Sequence, residues 1–312
     1  MKSNFHIIPY APEYEPALLN LEKKAVQGAL IQLEMVRDHF LSRSVIFENY
    51  KIILGITNTG ELAGAAAAAI VPVKCRDVLS KVGVGYDLKV APRFRKQGLS
   101  KQFGKYLVEE YLRPEGIKDF MLTMKTNNLP VAKSTFIIKQ KWYHYEFIYL
   151  TIPTWQRLKK NKHALDKQKL KTRLFENNET IANYFSTTSE GLGIWKTCNM
   201  YKIKLSKLHP LIKVGQKLGA VFSPRLRRSP QEGDLLQFAT LFNYDYSNFH
   251  QLNTVLEQLQ EENIQYLNVC CQKGDFVWKA LKSLAINAFP YTLMSTFETS
   301  PENKIELDVR CL

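Results

Sequence analysis

The chain has 312 residues, of which 45% are hydrophobic, 12% aromatic and 23% charged, a balance that builds ordinary cores and excludes a chain disordered throughout. Its length is ample for two domains of about 150 residues each. A formal net charge of +14 favours anionic partners without choosing among them, because cofactor phosphates and nucleic acid are drawn by the same field.

In chain order, residues 5–10 read as a short strand and 12–30 as a helix opened by Pro12. A second helix is predicted over 32–47, where Leu33, Met35, Val36, Phe40, Leu41 and Val45 recur at roughly helical spacing. Strands at 50–56 and 61–73 flank the turn residues Thr57, Asn58, Thr59 and Gly60. The alanine run 65–69 favours helix by propensity, but its place between a turn and the β-branched Ile70, Val71 and Val73 reads as strand. Residues 62–73 are too few to cross a bilayer and are bounded by Glu61 and Lys74, so nothing spans a membrane and no membrane partner is expected. The first sixteen residues carry Glu13 and Glu15 and no apolar run of signal-peptide length, so no secretion signal is expected.

The stretch 82–104 is the most informative. A strand through 82–90 runs into a Pro-Arg turn and then a helix, 98–116, with Leu99, Phe103, Tyr106, Leu107 and Tyr111 on one stripe and Pro114 and Gly116 as its stop. Between them, Arg95, Lys96, Gln97, Gly98, Leu99 and Ser100 place successive backbone N–H groups at a helix N-terminus, which favours a pyrophosphate. Gly98 has no Cβ to keep a ligand from the backbone. Next come a strand at 118–127, a helix at 129–142 and a strand at 143–152.

Residues 153–193 read as a basic helical connector. Beyond it stand strand 194–208, helix 210–222, strand 234–245, helix 249–263, strand 264–273, helix 275–286 and strands 290–298 and 304–312. From 234 onward this repeats the strand-helix-strand-helix-strand order of the first half. The phosphate signature is lost, because only Tyr246, Ser247 and Asn248 separate strand from helix.

The loop R-x-x-G-x-S at 95–100, set between strand and helix within the order β, α, α, β, β, β, α, β, α, β, resembles the acyl-CoA loop of the GNAT superfamily of N-acetyltransferases, with Ser100 where the family usually has Gly or Ala. The resemblance covers residues 4–152. It implies an α/β (α+β) fold, an acyl-CoA N-acyltransferase mixed central sheet flanked by helices, in tandem with a degenerate second copy. The domains expected are 1–152 with the CoA loop, 153–193 as connector and 194–312 as the altered copy. Tandem arrangements of this kind resemble the plant Hookless-type and fish histidine N-acetyltransferases. A dinucleotide site does not fit, since the strand order is not βαβ and no ribose-binding acid follows.

The resemblance implies acetyl-CoA as acyl donor and a primary amine, a small amino-acid-like molecule, as acceptor. Leu88 and Val90, just before the turn, would meet the pantetheine arm through their backbones, while Arg93 and Arg95 would meet phosphates. Asp87, the carboxylate of this strand, is the candidate base. Strict alternation would put it on one face with Gly85 and Lys89, opposite Tyr86, Leu88 and Val90. In the later family motif, Asn127 or Asn128 would touch pantetheine, and a Tyr would act as general acid. Here Phe136 holds the Tyr position and Lys141 replaces Gly, so Tyr143 is the candidate substitute, with Tyr145 beside it. Glu34 and Asp38, four apart, read as surface charges.

Other functions stay open at this level: a protein lysine acetyltransferase, a CoA-binding module without turnover, or a regulatory protein binding nucleic acid. The basic runs 156–173, where Asp166 is the one acid, and 204–228, which has none, read as solvated faces, so nucleic acid is not expected as a partner. Cys75, Cys198, Cys270, Cys271 and Cys311 form no CxxC pair and have no histidine at ligand spacing, so neither metal nor disulfide framework is expected, and a reducing cytoplasm fits. Cys270 and Cys271, adjacent in a strand, should be a core thiol and a neighbour on the opposite face. The six histidines show no triad pattern.

Overall fold

Residues 63–71 are small or β-branched on both sides of the strand, so layers can close over both faces of it. A computed structural model of the chain describes residues 4–24, 30–75, 78–126, 128, 138–158, 170–171, 185–222, 230–244, 249–298, 305–306 and 309. In it β4 (Leu62–Cys75) lies between β3 (Asn49–Thr57) and β5 (Val78–Val90). Ala65, Ala67 and Ala69 join the core on one face, and Ala66 and Ala68 the core on the other. The short side chains admit α1 (Glu15–Lys24) on the first face and α2 (Leu99–Leu107) on the second. α2 approaches the sheet most closely at Gly55 of β3, where a Cβ would stand 2.7 Å from the Leu99 side chain.

These strands belong to an eleven-stranded sheet. From β1 (Phe5–Pro9) it runs through β3, β4, β5 and β6 (Asp119–Lys125) to β15 (Asn287–Ser295), then β7 (Tyr143–Pro153), β14 (Tyr266–Cys271), β13 (Phe238–Phe242), β10 (Gly193–Trp195) and β9 (Phe185–Thr187). β5 and β6 are parallel, and so are β13 and β14; the other pairings are antiparallel. Outward from the central β15–β7 pair, the strand directions therefore follow one pattern both ways. On the α2 side of the sheet also pack α4 (Leu252–Glu261) and α5 (Phe276–Leu281), against Leu150, Ile152, Leu267 and Val269. The mixed sheet flanked by helices is the fold class the sequence implies.

The last strand of each half crosses over. β7, from the first half, pairs with β14 from Tyr266↔Pro153 to Cys271↔Ile148, while β15, near the end of the chain, pairs with β6 from Tyr291↔Lys125 to Ser295↔Met121. One apolar core accordingly joins Leu18, Phe40 and Val84 to Trp195, Phe242 and Leu293. Cys270 and Cys271 are both buried and belong to cores on opposite faces, as alternation requires.

Three expectations are corrected. Residues 32–47 form no α-helix: they give β2 (Ile31–Val36) and a 3-10 helix, Phe40–Ile46. Ile31, Leu33 and Met35 alternate with polar neighbours, and β2 pairs with β11 (Lys202–Leu208), Glu34 facing Lys204. The strand expected over 194–208 is broken accordingly: β10 stays in the main sheet, a 3-10 turn covers Thr197–Asn199, and β11 leaves for a three-stranded sheet with β2 and β12 (Leu235–Leu236). The stretch expected as a helical connector contains β9 at its end and β8 (Leu170–Lys171), which pairs with β16 (Ile305–Glu306); its residues 159–169 and 172–184 lie outside the described residues. So do 127 and 129–137 of the predicted Asn127 contact and helix, Phe136 included, while 138–142 are irregular. Finally, α3 (Pro210–Phe222) follows β11 as expected.

Because β15 completes the β6 edge, a fragment cut after Leu158 leaves the five residues from Met121 to Lys125 unpaired on that side. That fragment is expected to be insoluble when expressed alone and to be recovered in soluble form when the remaining residues are co-expressed as a second chain. Solubility and circular dichroism of the fragment check this, and a folded monomer of residues 1–158 would contradict it.

Candidate active site

The site begins where the pairing of β5 becomes irregular. Tyr86 faces Ala67 and Lys89 faces Ala65, so Asp87 and Leu88 together oppose Ala66, a β-bulge. Asp87 sits at φ 50, the left-handed region. The bulge breaks the alternation expected from sequence: Tyr86, Asp87 and Lys89 share one face, while Leu88 and Val90 pack on the α2 side. On its other edge, β5 pairs with β6 from Val82↔Asp119 to Gly85↔Leu122 and then parts from it. Beyond Gly85, the backbone of β5 on that edge is open to a ligand.

A buried charge cluster holds the bulge. The Asp87 carboxylate accepts from Arg37 Nη1 at 3.1 Å and Arg43 Nη1 at 3.2 Å, with Lys89 Nζ at 3.4 Å. Glu22, on α1, takes Arg37 through Nε at 2.5 Å and Nη2 at 2.8 Å, and also Lys89 Nζ. Burial alone would raise the Asp87 pKa, but Lys89, Arg37 and Arg43 outweigh it and hold the carboxyl well below the usual carboxylate range. Such a group is ionised at neutral pH and is a weak proton acceptor. Two carboxylates face three cations, which leaves one positive charge in excess. Arg37, Glu22 and Asp87 are sealed, whereas Arg43 and Lys89 are each 13% exposed, so the accessible side of the cluster is cationic.

Two cavities meet at Gly85. On the cluster side a cleft of ≈ 380 Å³ extends over the central strands, lined by Arg43, Lys89, Lys125, Tyr149, Tyr201 and Tyr291, with Thr123, Thr151, Thr197 and Asn268 among its polar groups. Residues of both halves build it. Burial pushes the Tyr291 hydroxyl up to about 12, raises those of Tyr149 and Tyr201 and lowers the Lys125 ammonium. On the α2 side an apolar cavity of ≈ 100 Å³ is lined by Gly83, Gly85, Gly104, Leu107 and Trp142, among others. The Trp142 indole N–H is buried there with no acceptor among the described residues.

No family model matches the sequence, and no curated protein matches it either. Solved structures do. A Saccharomyces cerevisiae N-myristoyltransferase with bound myristoyl-CoA superposes with a TM-score of 0.60 at 10% identity, over 96% of this chain and 81% of that one. A second structure of that enzyme with myristoyl-CoA gives 0.54 at 9% identity over 96% and 85%, and a third, with inhibitors as well, 0.53 at 10% over 99% and 86%. The fold is that of an acyl-CoA N-acyltransferase.

Within this acyltransferase fold the predicted loop residues come together. Pro92–Phe94 form a 3-10 turn, Lys96 takes φ 63, and Gly98 caps α2 at φ 83. The first turn of α2 is closed by Gln102 N–H to the Gly98 carbonyl at 3.1 Å, so the amides before it are the orphan donors of a helix start. A Cβ at Gly98 would meet no protein atom within 4 Å. Around the loop, Arg95 Nε donates to the Val90 carbonyl at 3.2 Å, Gln97 Nε2 to the Arg93 carbonyl at 3.0 Å, and Arg93 pairs with Glu61. Leu99 is buried under the sheet, and Ser100 is half-buried. Asn128 donates its N–H to the Lys125 carbonyl at 3.0 Å. Tyr143 opens β7 opposite Ser295, with Lys141 Nζ 4.5 Å from its ring centre, and lines neither cavity. Glu34 pairs across to β11, away from Asp87.

Asp87→Asn is expected to cost about 3–5 kcal/mol at neutral pH, because three buried cations lose their common partner. The folded pKa is depressed, so the contribution of the carboxylate is complete above its unfolded value of about 3.9 and is lost as pH falls through that value toward the folded one. Urea midpoints of wild type and variant should therefore lie far apart near neutrality and converge below about pH 4. Equal midpoints at neutral pH would show that the cluster contributes nothing.

Proposed function

We propose that this chain transfers an acetyl group from acetyl-CoA to a primary amine by direct attack, with a small amino-acid-like molecule as acceptor. The observation that carries the reading is the parting of β5 from β6 after Gly85, at a point that lines both the apolar cavity under α2 and the cationic cleft. The residues present fit acyl-CoA. Amides between Lys96 and Ser100 would hold the pyrophosphate, the Arg95 N–H being bonded to the Pro92 carbonyl; Gly98 would leave room for it, and Arg93 and Lys96 would supply charge. The backbones of Leu88 and Val90, Asn128 and the unpartnered Trp142 N–H would meet the amides of the pantetheine arm.

The thioester carbonyl would then lie at the open edge of β5, where free backbone N–H groups polarise it. The amine nitrogen attacks the carbonyl carbon, the C–S bond breaks, the nitrogen loses a proton to water and the CoA thiolate gains one. Arg43, Lys89 and Lys125 disfavour an ammonium in the cleft, so the acceptor binds as the free amine; burial, which lowers the Lys125 pKa, would act on a bound amine in the same direction. A carboxylate on the acceptor would find its partners in those cations. In this reading Asp87 serves by holding the bulge, and the hydroxyl nearest the reaction comes from the cleft tyrosines rather than from Tyr143. The likeness of the tandem sequence pattern to the fish histidine enzymes supports the same class of acceptor. A CoA-binding module without turnover is the second reading, favoured by Phe136 at the position of the family Tyr.

Thermal unfolding with acetyl-CoA, followed by thiol release with a panel of amines, tests this. At about 100 times Kd, acetyl-CoA should stabilise the wild type by about 2.7 kcal/mol. It should stabilise Gly98→Ala similarly, after a backbone cost of about 1 kcal/mol, and should leave Gly98→Asp unchanged. Amino acids should release thiol faster than polyamines, and acetyl-CoA should react faster than myristoyl-CoA. Stabilisation without release for any amine would leave the second reading, and no stabilisation of the wild type would remove both.

A further inference from the structure

The cleft is chemically uneven along its length. Its charged groups gather at one end, where Arg43 and Lys89 stand on Asp87 and Lys125 comes from the adjoining β6. Asp87 is the one carboxylate among the described lining residues, and three cations already engage it. A basic side chain on the acceptor therefore meets no counter-charge, and an acidic one has to share the cations that an α-carboxylate would use.

Away from that end the lining is aromatic and aliphatic. Tyr291 of β15 faces Lys125, and Phe289, two residues earlier, faces Tyr149 of β7, so the four side chains share one face of the main sheet. The Tyr149 and Tyr291 rings are 5.6 Å apart, and Lys125 Nζ lies 5.9 Å from the centre of the Phe289 ring. A second wall comes from the three-stranded sheet: Leu33 and Met35 of β2, with Ile203 of β11 directly opposite Met35. All three are half-buried. Polar groups of the floor are bonded among themselves, Thr151 Oγ1 donating to Asn268 Oδ1 at 2.9 Å and the Thr197 and Thr240 hydroxyls lying 2.9 Å apart.

A volume of ≈ 380 Å³ falls in the range of sites for drug-sized ligands, about 300–1,000 Å³. The amine and carboxylate of an amino acid need only the charged end of it. Its side chain is left with the apolar remainder, where an aromatic or aliphatic group gains by leaving water and a charged one loses its hydration for no opposite charge. We infer, on the reading that this cleft is the acceptor site, that the acceptor is an amino acid with a large aromatic or aliphatic side chain, lodged between Phe289 and Tyr149 of the main sheet and Met35 and Ile203 of the smaller one. Met35 and Phe289 then set specificity and take no part in the chemistry.

Two measurements on the full chain test this. Calorimetric binding of N-acetylated amino acids, the products of the reaction, needs no acyl transfer: N-acetyl-L-phenylalanine should bind at least about tenfold more tightly than N-acetyl-L-alanine, and Nα-acetyl-L-lysine no better than the alanine compound. In transfer from acetyl-CoA, phenylalanine and leucine should exceed alanine, glutamate and lysine by about tenfold or more in kcat/KM. Met35→Glu should raise lysine relative to phenylalanine at least about tenfold, chiefly through KM, and the milder Met35→Ala should narrow the ratio of phenylalanine to alanine about threefold. Thermal stabilisation of both variants by acetyl-CoA, as in the wild type, shows that they fold. Equal binding of the phenylalanine and alanine compounds, or transfer that prefers glutamate or lysine, overturns the inference, and thiol release in the same assay leaves acyl transfer standing. Selective binding of N-acetyl-L-phenylalanine without thiol release from any amine supports the side-chain site and removes acyl transfer.

Discussion

The ion cluster around Asp87 is the constraint on which the site is built. A non-glycine residue at φ 50 in mid-strand is unfavourable without compensation. Three cations bonded to one carboxylate supply that compensation, and Glu22 ties two of them to α1. Beside the bulge, the pairing of β5 with β6 stops at Gly85, which lines both the cavity under α2 and the cleft. Removing the cations would leave a buried charge; removing the Asp87 carboxylate would leave three cations with Glu22 as the one carboxylate of the cluster. The cluster therefore tolerates little change, although none of its members needs to exchange a proton.

The same cluster sets the electrostatics of the cleft. Its sealed members neutralise one another, and its partly exposed members are both cationic, so the floor of the cleft is positive before any ligand arrives. Lys125 adds to this from β6, while Tyr149, Tyr201 and Tyr291 supply hydroxyls from the second half or from the exchanged strands. A site that spans the two halves thus takes its charge from the first and much of its hydrogen-bonding capacity from the second.

How much of this was legible in the sequence depended on the distance over which the determining contacts act. The loop from Arg95 to Ser100 was readable, because glycine conformation, helix start and turn chemistry are local. The alanine strand and the opposed burial of Cys270 and Cys271 were readable from period and context. β2 was not, because Leu33, Met35, Phe40 and Leu41 fit a helical spacing as well as a strand, and the partner that decides is β11, some 170 residues away. The face of Asp87 relative to Leu88 was misread because alternation assumes an unbroken strand, and nothing local in Gly85-Tyr86-Asp87-Leu88 announces a bulge. The cleft tyrosines lie on β7, β15 and the approach to β11, and only the crossing of β7 and β15 brings them over β6.

That crossing also bears on how the protein is made. Between Lys125 at the end of β6 and Asn287 at the start of β15, the ribosome adds a stretch that takes about ten to thirty seconds at ordinary elongation rates. Throughout that interval β6 lacks the partner that β15 later supplies, and its edge beside the future cleft is open. A nascent chain in this condition can pair with a neighbour on the same polysome. The basic, strongly self-repelling composition of the intervening segments would then act as a kinetic guard during synthesis, keeping chains apart until the final strand arrives.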